Sequence, residues 1–152
     1  MDTRPKFAVD EMLGSLVRWL RMMGYDATYM RDRRDGQILE AARKEGRFLL
    51  TRDWELAQRS GDRGLYVESD KVEEQLHQLV EKLRLEPNEE QSRCSSCNGE
   101  LKKVPKEEVF GKVPDVTFQS NQEFFLCGSC GKIYWKGSHW NHIRTTFQRL
   151  KG

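Results

Sequence analysis

Three aspartates, Asp10, Asp35 and Asp53, stand where strand-like runs hand over to helix-forming segments, and that placement gives them a chemistry. Phe7-Ala8-Val9 leads into Asp10, and Phe48-Leu49-Leu50-Thr51-Arg52 leads into Asp53 just ahead of Trp54-Glu55-Leu56-Ala57. Asp35 opens the helix that follows the second strand-like run. In an open α/β sheet the carboxyl ends of the strands border the crevice where ligands bind, so the three acids are expected at one edge. Like charges gathered there repel one another, and a divalent cation is the usual remedy. Carboxylates with open positions suit Mg2+ or Mn2+, which keep waters that can act as nucleophile and bridge to phosphate oxygens. Each aspartate alone also reads as an ordinary helix N-cap. Three at one edge, with Arg18 and Arg21 on the adjoining helix, favour the metal reading. Asp70, Glu11 and Glu68 are weaker candidates for the same edge.

The second constellation is Cys94-Ser-Ser-Cys97 and Cys127-Gly-Ser-Cys130, two C-x-x-C knuckles separated by 29 residues. Each pair can turn two thiolates toward one ion, and tetrahedral Zn2+ accepts four such ligands in a closed structural site. Two disulfides and an iron–sulfur cluster are the competing readings; four thiols in a chain expected to be cytoplasmic argue against the disulfides. His139 and His142 are not needed as ligands, because the cysteines already fill the site.

Just beyond the second knuckle, basic and aromatic residues alternate: Lys132, Tyr134, Trp135, Lys136, His139, Trp140. Aromatic faces stack on unpaired bases and nearby cations meet phosphate, so Trp135 and Lys136 are candidate contacts for a single-stranded nucleic acid. A packing role stays open beside it, since Trp140, Ile143, Phe147 and Leu150 form the apolar stripe of a terminal helix.

These residues need elements to hold them. Leu13, Leu16, Val17, Leu20 and Met23 recur at helical spacing before Gly24; Tyr25 to Met30 alternates as a second strand; Ile38, Leu39 and Ala42 mark a second helix that Gly46 closes. Trp54 to Arg59 makes a short helix and Leu65 to Val67 a fourth strand. Val72, Leu76, Leu79, Val80 and Leu83 line the next helix, with Ser69 or Asp70 as its cap. The order β-α-β-α-β-α-β-α calls for a parallel sheet with helices on both faces. Glu86 to Ser92 has no apolar residue apart from Pro87 and reads as a linker. Residues 1–86, 87–92 and 93–152 are therefore expected as α/β domain, linker and zinc ribbon with a terminal helix.

The chain has 152 residues, of which 37% are hydrophobic, and all four cysteines lie in the last 59. A core-poor rear half needs a staple, as a metal ribbon would supply. No apolar run reaches membrane-spanning length, and no signal-peptide core is present, so a cytoplasmic protein is the expectation. Residues 1–93 carry 17 Lys and Arg against 19 Asp and Glu, a balance of −2; residues 94–152 carry 9 against 5, a balance of +4. An acidic front and basic rear suit a protein that holds metal in one half and meets phosphate with the other.

Taken together, the stretch Phe7 to Asp26, Asp35-Gly-Gln-Ile-Leu39, Leu49-Leu-Thr-Arg-Asp53, Gln75-Leu76, Arg93 to Gly99 and Cys130 to Trp140 resembles the PIN-like ribonuclease family that also forms the C-terminal domain of the mutator-seven exonuclease. Thr51-Arg52-Asp53 and Tyr134-Trp-Lys-Gly-Ser-His-Trp140 are its most specific parts. The resemblance implies a PIN-like doubly wound parallel sheet fused to a C-terminal zinc ribbon, a metal-dependent ribonuclease activity, and acids at Asp10, Asp35 and Asp53. Larger PIN domains usually carry a fourth acid, and this sequence has no unambiguous equivalent. The expected strand order is 2-1-3-4, which sets Asp10 next to Asp53. Those two would hold the principal metal, Asp35 a second metal or the water, and Arg18, Arg21 or Arg52 would meet the substrate phosphate. The rival readings are a non-catalytic RNA- or ribosome-binding zinc-ribbon adaptor and a phosphoacceptor receiver domain, which lacks here the lysine such a domain needs.

Overall fold

The structure is a computed structural model that describes residues 4–135 and 138–151, with only the backbone of Ser138, His139 and Lys151. Lys136, one of the residues expected to touch nucleic acid, lies outside the described residues.

The two apolar runs that end on acids become the central strands. β1 (Phe7–Asp10) lies between β2 (Ala27–Met30) and β3 (Phe48–Thr51), and β4 (Gly64–Tyr66) extends the sheet beyond β3. The order is β2-β1-β3-β4, all parallel, with Phe7 opposite both Ala27 and Phe48. Side chains alternate across the pleat. Phe7, Val9 and Leu50 face one layer, made by α1 (Gly14–Met22), α4 (Val72–Leu83) and α6 (Ser138–Lys151). Ala8 and Leu49 face the other, made by α2 (Asp35–Glu45) and α3 (Trp54–Ser60). Both faces of a parallel sheet are thereby covered, which is why its strands read as continuous apolar runs.

The stripe of α6 closes the first layer: Trp140, Ile143 and Phe147 are buried in the same cluster as Leu16, Leu76 and Leu79. The helix that follows the ribbon in sequence thus packs on the amino-terminal core.

The ribbon is an antiparallel sheet of β5 (Leu101–Val104), β6 (Phe124–Cys127) and β7 (Ile133–Trp135), in the order β5-β6-β7. The central strand β6 enters the second knuckle and was not expected from the sequence. Between β5 and β6 lie a 3-10 turn (Lys106–Val109) and α5 (Asp115–Ser120), where Phe118 stacks on Phe124 with Phe110 edge-on.

Several boundaries differ from expectation for local reasons. The N-cap of α2 is Arg34, with Asp35 in the first turn, and Gln37 reaches back to the Arg34 amide. Lys71, not Ser69 or Asp70, precedes α4; the Ser69 hydroxyl instead accepts from the Lys71 amide at 3.0 Å and hydrogen-bonds Glu74. The segment expected as a linker is tied to the core along its length. The Asn88 amide donates to the Met23 carbonyl at 2.9 Å, the Ser92 hydroxyl to the Met22 carbonyl, and the Arg93 amide to the Arg21 carbonyl at 2.8 Å. Gly24 permits this strap: its φ is +99°, and a Cβ there would lie 2.9 Å from the Asn88 carbonyl oxygen.

Candidate active site and metal centre

Asp10 ends β1 and Thr51 ends β3, side by side across the sheet. Thr51 is fully buried, and its hydroxyl donates to Asp10 Oδ2 at 2.7 Å while accepting from the Asp53 amide at 2.9 Å. One threonine therefore fixes both acids. Asp10 is 8% exposed, and Asp53 caps α3 by accepting from the Leu56 amide through Oδ1 at 3.1 Å. Among the described residues, Asp10 Oδ1 and Asp53 Oδ2 take no hydrogen bond, so each acid keeps one oxygen available to a cation. Carboxylate oxygens are of the donor type that hard divalent ions take. Thr51 was legible only as part of a motif; a polar residue at the buried end of an apolar strand is the signal that marks it.

Asp35 is partly buried in the first turn of α2. Among the described residues, no three carboxylates bring their ligand atoms within 4.8 Å of one another, so the acids form an open edge, not a closed cage. Arg18 is exposed on α1. Arg21 has other partners: it is buried, donating from Nε to the Ala27 carbonyl at 2.9 Å and from Nη1 to the Ser95 carbonyl at 3.0 Å. Those carbonyls lie at the amino end of β2 and in the first knuckle, at the end of the sheet away from Asp10. Burial lowers the pKa of its guanidinium, with the nearby Cys94 and Cys97 opposing that shift. Arg52 donates to the Val67 and Glu68 carbonyls, both at 3.2 Å, at the end of β4. Trp135 is half-buried, its ring tilted against Phe124 at 6.4 Å. The His142 ring packs against Trp19 at 5.6 Å.

The four cysteines do form a closed set. Their sulfurs lie within 4.8 Å of one another, with Cys94 and Cys130 3.6 Å apart and Cys97 and Cys127 3.5 Å apart. A tetrahedron with Zn–S bonds of about 2.3 Å has edges of about 3.8 Å, so the spacing fits one ion. It is too long for a disulfide, and all four cysteines are free. Four thiols this close also leave no room for an iron–sulfur cluster, whose thiolates attach to separate irons.

The knuckles themselves prepare the thiols. Burial opposes ionisation of Cys94, yet the Tyr134 hydroxyl at 2.9 Å and the amides of Cys97 and Ser96 bring it down to about 7. Burial and the neighbouring thiols push Cys97 up to about 12. A bound cation reverses that second shift, because a coordinating thiol loses its proton. Gly99 is required at the turn: a Cβ there would meet Cys127 Sγ at 2.7 Å.

The knuckle docks on the core through Asn98. Its Oδ1 accepts from the Ala27 amide at 3.1 Å and its Nδ2 donates to Asp26 Oδ1 at 2.7 Å. Arg47 donates to the same Asp26 oxygen at 2.8 Å, and Arg93 lies 4.0 Å from its partner oxygen. Burial would raise the Asp26 pKa, but the bonds from Arg47 and Asn98 outweigh it and hold the carboxyl below the usual range.

A parallel α/β sheet with acids at its carboxyl edge carries a ribbon whose four thiols are spaced for one metal ion. The chain belongs to the Mut7-C RNAse domain family, whose model matches residues 5–147. No curated protein and no solved structure matches it. Among the described residues no helix is long and apolar enough to cross a membrane.

Proposed function

We propose that this protein is a Mg2+- or Mn2+-dependent ribonuclease that hydrolyses RNA phosphodiester bonds, with a zinc ion in the ribbon. The observation that carries the reading is the Asp10–Thr51–Asp53 arrangement: two acids held by one buried hydroxyl, each with an oxygen to spare, in a chain of an RNAse family. A divalent ion between them would polarise the phosphate and lower the pKa of a bound water. Asp10 and Asp53 would hold it, and Asp35 would orient the water or hold a second ion. Arg18 is the exposed guanidinium on α1 that would meet phosphate, with Arg52 at β4 as a second; Arg21 and Arg52 each already donate to two carbonyls, but Arg21 is buried whereas Arg52 is only partly so. Trp135 and Lys136 of the ribbon would contact the RNA strand, and the protein would work in the cytoplasm.

The test is cleavage of structured and unstructured RNA with and without Mn2+, in the wild type and in Asp10→Asn and Asp53→Asn. Asparagine can still cap α3, so the second variant keeps its fold while losing charge. Cleavage should fall by orders of magnitude in both, and metal analysis should return one zinc per chain. The bonds from Thr51 and Leu56 also support a structural role for the two acids, the arrangement of a non-catalytic RNA-binding adaptor. RNA binding without metal-dependent cleavage would establish that alternative and refute the nuclease.

A further inference from the structure

Among the described residues, Met12, Trp54, Phe110 and Val116 are the large apolar side chains left exposed, and two of them come within two residues of the acids. Met12 comes two residues after Asp10, and Trp54 immediately after Asp53. Trp54 is 59% exposed, unusual for a side chain whose burial is so favourable. It is nonetheless held in place: its ring meets Tyr66 edge-on, with centroids 5.3 Å apart and an interplanar angle of 85°. Such a contact covers only part of the indole and leaves aromatic surface open to solvent. Tyr66 in turn is the register neighbour of Thr51, the residue that donates to Asp10. Asp10, Thr51, Tyr66 and Trp54 thus form a strip along the carboxyl edge of three adjacent strands. The strip is about 10 Å from β1 to β4, two strand spacings.

We infer that Trp54, braced by Tyr66, is a stacking platform for one unpaired base of an RNA strand whose phosphate lies at Asp10 and Asp53. This rests on the nuclease reading above and adds to it a base-contacting residue beside the acids, one that acts only on a strand unpaired at that point. A base inside a duplex has both faces covered by its neighbours, whereas an unpaired base gains from an aromatic surface whatever its identity. An exposed, oriented indole beside the acids serves the second kind of substrate and offers nothing to the first. Arg52, anchored at the end of β4 beside Tyr66, puts a positive charge next to the platform.

The experiment measures binding of a labelled, unstructured RNA oligonucleotide and of the same sequence in a duplex, without added Mg2+ or Mn2+ so that no RNA is cut. Trp54→Ala should weaken binding of the single strand about tenfold or more, the loss of one stacked base, and leave duplex binding unchanged. Trp54→Phe should recover most of the affinity. Thermal melting should be level across the three proteins, since the ring is mostly in water. Unchanged single-strand affinity overturns the platform, whether or not the variant loses self-association through this face. An equal loss on duplex, or a wild type that binds no single strand, overturns it as well. Cleavage by a wild type whose binding ignores Trp54 sinks the platform and spares the nuclease. Trp54-dependent binding without any cleavage does the reverse.

Discussion

Thr51 ties the candidate centre together, because its hydroxyl holds the Asp10 carboxylate on one side and the Asp53 backbone amide on the other. Thr51→Val keeps the volume and β-branching but leaves the Asp53 amide without its acceptor and Asp10 Oδ2 without its donor. A buried polar group stripped of its partner costs about 1–3 kcal/mol, so the melting temperature should fall measurably. If the acids hold the ion, the same change should lower kcat more than it raises KM, since positioning is lost while the RNA contacts remain. A variant that is destabilised yet cleaves at the wild-type rate would show that Thr51 serves only the fold. The acids themselves were legible in the sequence because a carboxylate at the end of a buried apolar run needs a cap, a donor or a cation to stay there. Arg21 was harder. It sits four residues after Val17, at the edge of the buried stripe of α1, and its type pointed outward while its position pointed in. Two carbonyls at the right distance decided for burial.

At the scale of elements, the joint between the sheet and the first knuckle is a polar knot around Asp26. Its carboxyl titrates below the ordinary value of 3.8 in the folded protein, so it adds stability at pH above about 4. That contribution is lost as pH falls through the depressed folded pKa. The expected outcome is that the wild type melts higher than Asp26→Asn at pH 7 and that the gap closes as the pH is lowered toward 3. A gap independent of pH over that range would remove Asp26 from the account. The sequence showed β1, β3, α1 and α4 well, because burial on one or both faces writes itself into hydropathy. It did not show the strap from Glu86 to Arg93. Backbone amides and small polar side chains fasten that segment, and such bonds leave no apolar pattern to read. β6 escaped for a related reason: four residues running into a knuckle, Phe124-Phe-Leu-Cys127, are too short to show a period. Their pairing with β5 and β7 on either side makes the strand.

For the whole molecule, the four-thiol site and the acids answer to different forces. The ribbon strands have little apolar burial of their own, whereas the sheet is covered by α1, α4 and α6 on one face and by α2 and α3 on the other. Chelating the zinc should therefore release β5, β6 and β7 while the amides of β1 and β3 stay protected from hydrogen exchange. Loss of protection in both regions together would mean that the ribbon is a condition for the core. The connections that resist such a collapse are the strap and α6, which packs Trp140, Ile143 and Phe147 into the first layer after the chain has left the ribbon.

The docking of Asn98 at Ala27 also sets a scale. Ala27 pairs with Phe7 at one end of β1, and Asp10 stands at the other, three residues away or about 10 Å along the strand. The thiol site and the acids thus lie toward opposite ends of the sheet, so under the proposed function the molecule would act as a ruler. An RNA strand engaging both the ribbon and the acids would have to span that separation, while a shorter fragment would reach one or the other. A ladder of oligonucleotides should accordingly show a step, with KM falling sharply once the chain is long enough to bridge and flat on either side. A smooth dependence on length would mean that the ribbon never touches the strand being cut.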